Sequence, residues 1–395
     1  MSVLKRVPPG VWALGFVSLL MDTSSEMIHG LLPLFLIGTL HASPLIVGVI
    51  DGAAEAMVYV TKLFSGAWSD WTGRRKPLLL AGYALAAFSK PLFPLADSAM
   101  MVFGARLLDR FGKGMRGAPR DALIADFTPP RDRGAAYGLR QSLDTVGAVV
   151  GPLLAILLMK ASGGDFRWVF SWAVVPALAS VAVIVFAVRE PARLHSDGPR
   201  RFPIRRDELV RLDRAFWSIV ALGALLGLAR FSESFLLLRT QLAGLPMSWA
   251  PATLIVMNIV GALSSYPAGK LSDRWPRQRL LLIGVLILAA GQLLLALPGM
   301  PMAFAGIALW GLHLGLTQGV LAALIADTSP PALRGTAFGV FNLASGIATL
   351  CGGVLAGALW VTMGAIATFV AGASLSLLLA AALGLHPLRA STVGS

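Results

Sequence analysis

Charge is scarce in this chain: 13% of its residues are Asp, Glu, Lys or Arg, where a soluble domain carries about 25%. Acidic residues are scarcer still, 20 against 33 basic, and cysteine occurs once, as Cys351 in an apolar stretch. A single cysteine supplies neither a disulfide framework nor a thiolate metal centre, so Cys351 is read as packing. Also missing are a G-x-x-x-x-G-K phosphate loop, H-E-x-x-H and G-x-S-x-G. Their absence removes the obvious routes to an ATP-driven pump, a zinc protease and an α/β-hydrolase. The stretch from Gly112 to Gly117 satisfies G-x-G-x-x-G but follows no strand and lies inside an expected helix, where small residues serve close helix packing. No cofactor and no metal site is expected.

Long apolar runs are abundant. Hydrophobic residues make up 56% of the chain, and the mean hydropathy is +0.75. Runs long enough to cross a bilayer, about 20 residues each, recur along the whole sequence. They predict helices over 11–38, 44–68, 77–96, 99–122, 134–160, 168–188, 215–240, 248–268, 279–297, 301–326, 335–362 and 364–386. The first run continues through Met21 to Phe35 with no small-residue cleavage site, so it is read as the first span. The expected fold is an all-α polytopic membrane protein with twelve transmembrane helices.

The net charge of +13 does not indicate nucleic acid, because the basic residues cluster in short loops between apolar runs. With an even number of spans both ends share a side, and that side collects 22 of the 33 basic residues. The opposite loops hold Lys160, Arg167 and Arg239. The positive-inside rule then makes both termini cytoplasmic in an inner (plasma) membrane. The segment 189–214, with eight arginines and three prolines, reads as a basic cytoplasmic linker between an N-terminal bundle at 1–188 and a C-terminal bundle at 215–395. Its charge also suits anionic membrane lipid.

An internal repeat supports that division. Ala122–Gly138 (ALIADFTPPRDRGAAYG) matches Ala323–Gly339 (ALIADTSPPALRGTAFG) at 11 of 17 positions, with an offset of 201 residues. Self-similarity at half the chain length marks a duplicated bundle, here two pseudo-symmetric six-helix halves. A second repeat pairs GAWSDWTGRRK, from Gly66, with GKLSDRWPRQR, from Gly269.

Those two segments resemble the loop motif of the major facilitator superfamily: a glycine, an aspartate four residues on, then a basic cluster. The stretch from Arg106 is similar to that superfamily's arginine motif, and Gly147-Ala-Val-Val-Gly151-Pro152 resembles the antiporter motif of its drug-efflux branch. Trp71 stands where a basic residue usually follows the loop aspartate, and Pro276 replaces the second glycine of the later copy. The resemblance implies the major facilitator fold, in which two bundles rock about a central site lined by spans 1, 4, 7 and 10. It also implies gating roles for Gly66, Asp70, Gly269 and Asp273 in the loops and for Gly147, Gly151 and Pro152 in the fifth span. On charge alone, Asp70 and Asp126 beside Arg74, Arg75, Arg131 and Arg133, with Arg334 in the later copy, either latch one conformational state or simply fix topology.

Charges within the expected spans are the most informative residues. Asp22, Glu26, Asp51, Glu55, Asp109, Asp144 and Glu233 stand against Lys62, Lys90, Arg106, Arg110, Lys113, Arg116, Arg140 and Arg230. At about 3 kcal/mol each, exposing all of them to lipid would cost on the order of 40 kcal/mol, so they pair or line a wet cavity. The repeat offers a control: its offset carries Arg106, Asp109, Arg110, Lys113 and Arg116 onto Ile307, Trp310, Gly311, Leu314 and Thr317, and Arg140 and Asp144 onto Phe341 and Ser345. The fold accepts neutral residues at these places. The first-half charges are therefore expected to serve function, with an internal salt-bridge network as the competing role.

Asp22 with Glu26, and Asp51 with Glu55, are spaced four apart on their helices. Like charges on one face in a low-dielectric site disfavour double ionisation, so such pairs can hold a proton for coupling. Arg106, Arg110 and Lys113 form one stripe with Arg116 at its edge. With Asp109, Arg140 and Asp144 they are candidate substrate contacts, either for an anionic solute or as neutralisers of the carboxylates. His29 can extend a proton path, hold a divalent cation or simply hydrogen-bond a neighbouring helix, and His313 is read alike, with the hydrogen bond favoured for both. Arg230 and Glu233 are expected to pair unless they exchange partners between states.

The expected function is a proton-coupled secondary transporter of a small organic solute, exporting by antiport. Its partners are the solute, protons and membrane lipid, and it is expected to be a monomer. Uptake of an organic anion with protons is the alternative. A membrane-embedded enzyme would gather polar groups near a loop rather than within helices, and a channel would usually assemble a symmetric pore from several subunits.

Overall fold

The computed structural model of the chain describes residues 7–72, 74–129, 132–189, 212–272, 274–329 and 333–385, and among them there is no strand. The helices are α1 (Pro9–His29), α2 (Leu32–Gly38), α3 (Pro44–Thr72), α4 (Arg75–Ser89), α5 (Leu92–Leu95), α6 (Ala99–Phe127), α7 (Arg133–Ala161) and α8 (Phe166–Ala187). They continue with α9 (Arg214–Ala229), α10 (Ser234–Leu242), α11 (Ala252–Ser272), α12 (Arg277–Ala296), α13 (Met300–Asp327) and α14 (Arg334–Leu385).

Nine helical stretches among the described residues are long and apolar enough to cross a membrane. α6 is not one of them: it has the length but carries eight charged residues. Several starts follow from local chemistry. Asp165 caps α8 by accepting from the Arg167 and Trp168 amides, and Asp213 caps α9 by accepting from the Phe216 amide at 2.9 Å.

Three expected spans are interrupted. The run 11–38 breaks between α1 and α2, where Pro33 has no N–H to give and its ring would crowd the His29 carbonyl one turn back. Pro91 breaks the run 77–96 in the same way, after Lys90. The break from Arg230 to Glu233 has no proline. There Ser232 Oγ accepts from the Ser234 amide at 3.2 Å, a local bond that competes with the helix ladder. Gly364 interrupts α14 with φ +85°, a left-handed conformation that glycine adopts without strain.

The chain forms two compact units, Met1–Phe35 with Met57–Phe202, and Leu36–Ala56 with Pro203–Ser395. The boundary falls inside α3, so residues 36–56, expected in the N-terminal bundle, group with the second unit. The first unit buries Leu14, Val17 and Met21 of α1 against Leu79 and Tyr83 of α4, Leu123 of α6 and Ala177 of α8. The second has a cluster of Phe216 and Ile219 of α9, Ile325 of α13 and Ala337 of α14. The glycine run in α6 serves packing: a Cβ on Gly112 would stand 3.0 Å from the Ala86 amide of α4, and one on Gly114 would stand 2.8 Å from the Val58 carbonyl of α3.

Candidate functional site

In the first unit, α7 seats α1 through two glycines. A Cβ on Gly147 would lie 2.7 Å from the Leu19 carbonyl, and one on Gly151 would lie 2.6 Å from the Thr23 carbonyl and 2.8 Å from Glu26 Cβ. These contacts fix the backbone that carries Asp22 and Glu26, and Pro152 is buried beside them. Both carboxylates stay partly accessible, at 26% and 20%. Asp22 lies 3.9 Å from Arg116 Nη2, and Glu26 lies 3.6 Å from His29 Nδ1. Glu26 also lies within electrostatic range of Lys113 and Arg110. His29 therefore has a carboxylate neighbour, and no group that could hold a metal ion occurs among the described residues.

The stripe on α6 is divided by burial. Arg106, Asp109, Arg110 and Arg116 are buried, whereas Lys113 is exposed. Asp109 is bound by Lys90, whose Nζ donates to Asp109 Oδ1 at 2.8 Å and to Ser25 Oγ of α1 at 2.9 Å. Arg110 Nε stands 3.6 Å from the other oxygen of Asp109. The Arg116 guanidinium lies over the Tyr83 ring, 4.5 Å from its centroid. Arg120 donates to Ser18 Oγ at 3.0 Å and to Asp121 at 3.2 Å. On α7, Arg140 pairs with Asp144 one turn along. Sequence spacing found the charged residues of α6 and α7 but not the parts played by Lys90, Ser25, Tyr83 and Arg120, which depend on contacts between distant helices.

In the second unit, Asp51 of α3 is buried and accepts hydrogen bonds from Ser232, at 2.7 Å, and from Ser234. Glu55 is one turn further along α3 and half-buried. The four expected coupling carboxylates are thus divided, Asp22 and Glu26 in one unit, Asp51 and Glu55 in the other. Arg230 and Glu233 flank the break between α9 and α10. His313 is fully buried, with Nδ1 2.8 Å from the Gly284 carbonyl, which is the hydrogen bond to a neighbouring helix expected for it.

Of the loop charges, Asp126 is bound by Arg75, whose Nη1 also donates to the Ala122 carbonyl at 2.7 Å. The second unit repeats the arrangement: Arg277 pairs with Asp327 and reaches the Ala323 carbonyl at 3.5 Å. Both ion pairs lie within their own unit. Asp327 and Ala323 belong to the repeat, so the symmetry alone was a signal for the second pair. Arg74 is exposed, and Arg133 donates to the Ala125 carbonyl at 3.4 Å. Gly269 has open space around its Cα. The surroundings of Gly66 and the side chains of Asp70 and Arg334, together with all of Asp273, Arg131 and 190–211 of the linker, lie outside what the structure describes.

Apolar helices of membrane length carrying buried, partly paired charges define a polytopic membrane protein with a polar interior. The chain belongs to the Major Facilitator Superfamily, whose family profile matches residues 14–264 and 247–393. It is a transporter of small molecules and not an enzyme. An uncharacterized MFS-type transporter of Methanocaldococcus jannaschii is 29% identical over 366 residues, covering 90% of this chain and 89% of that one. The multidrug resistance protein MdtH of Yersinia pestis is 29% identical over 160 residues, 40% of this chain and 39% of that one. The fold is that of the nucleoside transporter NupG, with a TM-score of 0.82 at 14% identity, covering 95% of this chain and 99% of that one.

Proposed function

We propose that the protein is a proton-coupled exporter of a small organic solute, working by alternating access as an antiporter in the plasma membrane. Joining α1 to α2, α4 to α5 and α9 to α10, and dividing α14 at Gly364, gives the twelve spans of this reading. The observation that carries it is the placement of Asp22 and Glu26. They share one face of α1, are held in position by Gly147 and Gly151, and stay partly accessible in a first unit whose other spanning charges are largely buried. A carboxylate pair so placed can take up a proton in one state and yield it in the other. The partial similarity to a multidrug resistance protein supports export.

Reconstitution into proteoliposomes with an imposed pH gradient tests this. Solute flux should follow the gradient, and Glu26→Gln or Asp22→Asn should abolish gradient-driven flux. Flux indifferent to the gradient would falsify proton coupling.

A second reading, proton-linked uptake of an organic anion, is favoured by one feature. In the spans of the first unit Lys90, Arg106, Arg110, Lys113, Arg116 and Arg140 outnumber Asp22, Glu26, Asp109 and Asp144. A thermal-shift screen of anionic, cationic and zwitterionic solutes separates the two. Stabilisation by anions supports the second reading, and stabilisation by cations alone removes it.

A further inference from the structure

Within the second unit, residues 44–56 of α3 approach α14 backbone to backbone at several glycines. A Cβ on Gly52 would stand 2.9 Å from Leu350 Cα and 3.1 Å from the Leu350 carbonyl of α14, and one on Gly353 would stand 2.5 Å from the Gly48 carbonyl. Gly357 meets Leu45 Cα of α3 at 2.7 Å in the same way. Backbones this close gain dispersion and weak Cα–H contacts along the seam but carry no directional lock. Asp51, on the same helix between Gly48 and Gly52, supplies one. Its Oδ2 accepts from Ser232 Oγ at 2.7 Å and from Ser234 Oγ, the residues where the seventh span is interrupted and α10 begins.

Two hydroxyls donating to a single carboxyl oxygen bind the ionised form more strongly than the neutral acid. Hydrogen bonds to an ionised acceptor are stronger than those to a neutral one, and protonation removes the charge and weakens both bonds. Other charged or titratable groups on the packed elements are Glu55 one turn along α3, Arg230 and Glu233 at the break, and Cys351 on α14, which has no Asp, Glu, Lys or Arg between Ser345 and Trp360.

We propose that Asp51, Ser232 and Ser234 form a latch that holds residues 44–56 of α3 on α10 and α14 while Asp51 is ionised, and that protonation of Asp51 releases it. This rests on the proton-coupled reading above and gives Asp51 a part distinct from that of Asp22 and Glu26: it sets which conformation the helix occupies rather than carrying the transported proton. Ser232 and Ser234 are positioning residues. At the seam itself backbone meets backbone at Gly48, Gly52, Gly353 and Gly357, so few side chains need to withdraw there when α3 lifts.

The test needs no solute. In purified full-length protein with Cys351→Ser, the buried Val47 of α3 becomes a reporter through Val47→Cys, labelled with a thiol reagent. Asp51→Asn, which mimics the protonated state, and the double variant Ser232→Ala/Ser234→Ala should each speed labelling about tenfold at neutral pH. Lowering the pH should speed labelling of the parent relative to Asp51→Asn, a ratio that cancels the thiol's own pH dependence. Labelling unchanged in both variants, or a parent-to-Asp51→Asn ratio that does not move with pH, overturns the latch. Neither outcome bears on gradient-driven flux through Asp22 and Glu26, so failure here is distinguishable from failure of the transport reading.

Discussion

Lys90 and Gln292 occupy corresponding places in the two units, since the displacement of 202 residues that carries Arg75 onto Arg277 also carries Lys90 onto Gln292. Each ties a third-span position back to the first span of its own unit. Lys90 does so through Ser25 Oγ and adds Asp109. Gln292 does so by donating to the Ala229 carbonyl at 2.7 Å, and its own carbonyl oxygen accepts from Ser376 Oγ at 2.9 Å. One tie is ionic and the other neutral, yet both residues are fully buried. A charged tie is therefore not required by the fold. Where the first unit has Asp109 the second has the buried Trp310, and where it has Arg116 the second has Thr317 bonding its own helix.

The largest expected effect follows from that contrast. Lys90→Met or Asp109→Asn alone leaves a buried charge without its main partner and should cost roughly 3–5 kcal/mol, read as a steep fall in thermal stability in detergent. The double variant Lys90→Met/Asp109→Leu should recover only part of the loss, because the buried Arg110 also loses its contact with Asp109. Gln292→Leu leaves the Ala229 carbonyl and the Ser376 hydroxyl without their neutral partner and should cost about 1–3 kcal/mol. Equal effects at Lys90 and Gln292 would erase the distinction between the units.

A smaller effect separates packing from coupling at the helix seats. The offset of 201 places Gly151 on Gly352, and Gly352 seats α14 on α9 as Gly151 seats α7 on α1: a Cβ there would stand 3.0 Å from the Gly227 carbonyl. The glycine is thus a packing device in both units, but only the first carries carboxylates at the seat. Gly151→Leu and Gly352→Leu should lose comparable stability, about 1–3 kcal/mol from overpacking. Only Gly151→Leu should also change the dependence of flux on the pH gradient, because it displaces Glu26. A change of the same size in Gly352→Leu would remove the special standing of the α1 pair.

Much of this comparison is written in the chain itself. The repeat, the run lengths and the intramembrane charges are local features, and they carry the helical architecture, the two halves and the concentration of charge in the first. The interruptions are harder to read: Pro33 and Pro91 announce two of them, but apolar composition continues across both, and the break at Ser232 has no proline at all. Partners are harder still. Spacing along α6 puts Asp109 beside Arg106 and Arg110, yet Lys90 from another helix donates to it at 2.8 Å. Asp51, spaced four from Glu55, takes hydroxyls from residues 181 and 183 positions away. Periodicity places a residue on a face of its own helix, and helix crossing decides what that face meets.

The smallest effect belongs to the feature the two units share most closely. Arg75–Asp126 and Arg277–Asp327 each join the start of one helix to the end of another, and each arginine also reaches a carbonyl near the C-terminal end of the helix bearing the aspartate. A guanidinium there meets both the carboxylate and the negative end of the helix dipole. The aspartates are substantially exposed, at 40% and 57% of side-chain area, so solvent screens both pairs and each should contribute below about 1 kcal/mol. Asp126→Asn and Asp327→Asn should therefore lower thermal stability slightly and equally, and the loss should shrink in high salt. A role in switching would appear elsewhere, as a change in flux larger than the stability change accounts for. If Asp126→Asn alone slows flux while Asp327→Asn leaves it intact, the asymmetry seen in the buried charges extends to the loops. If both slow it equally, the loop pairs act as a symmetric device, separate from the asymmetry of the buried charges.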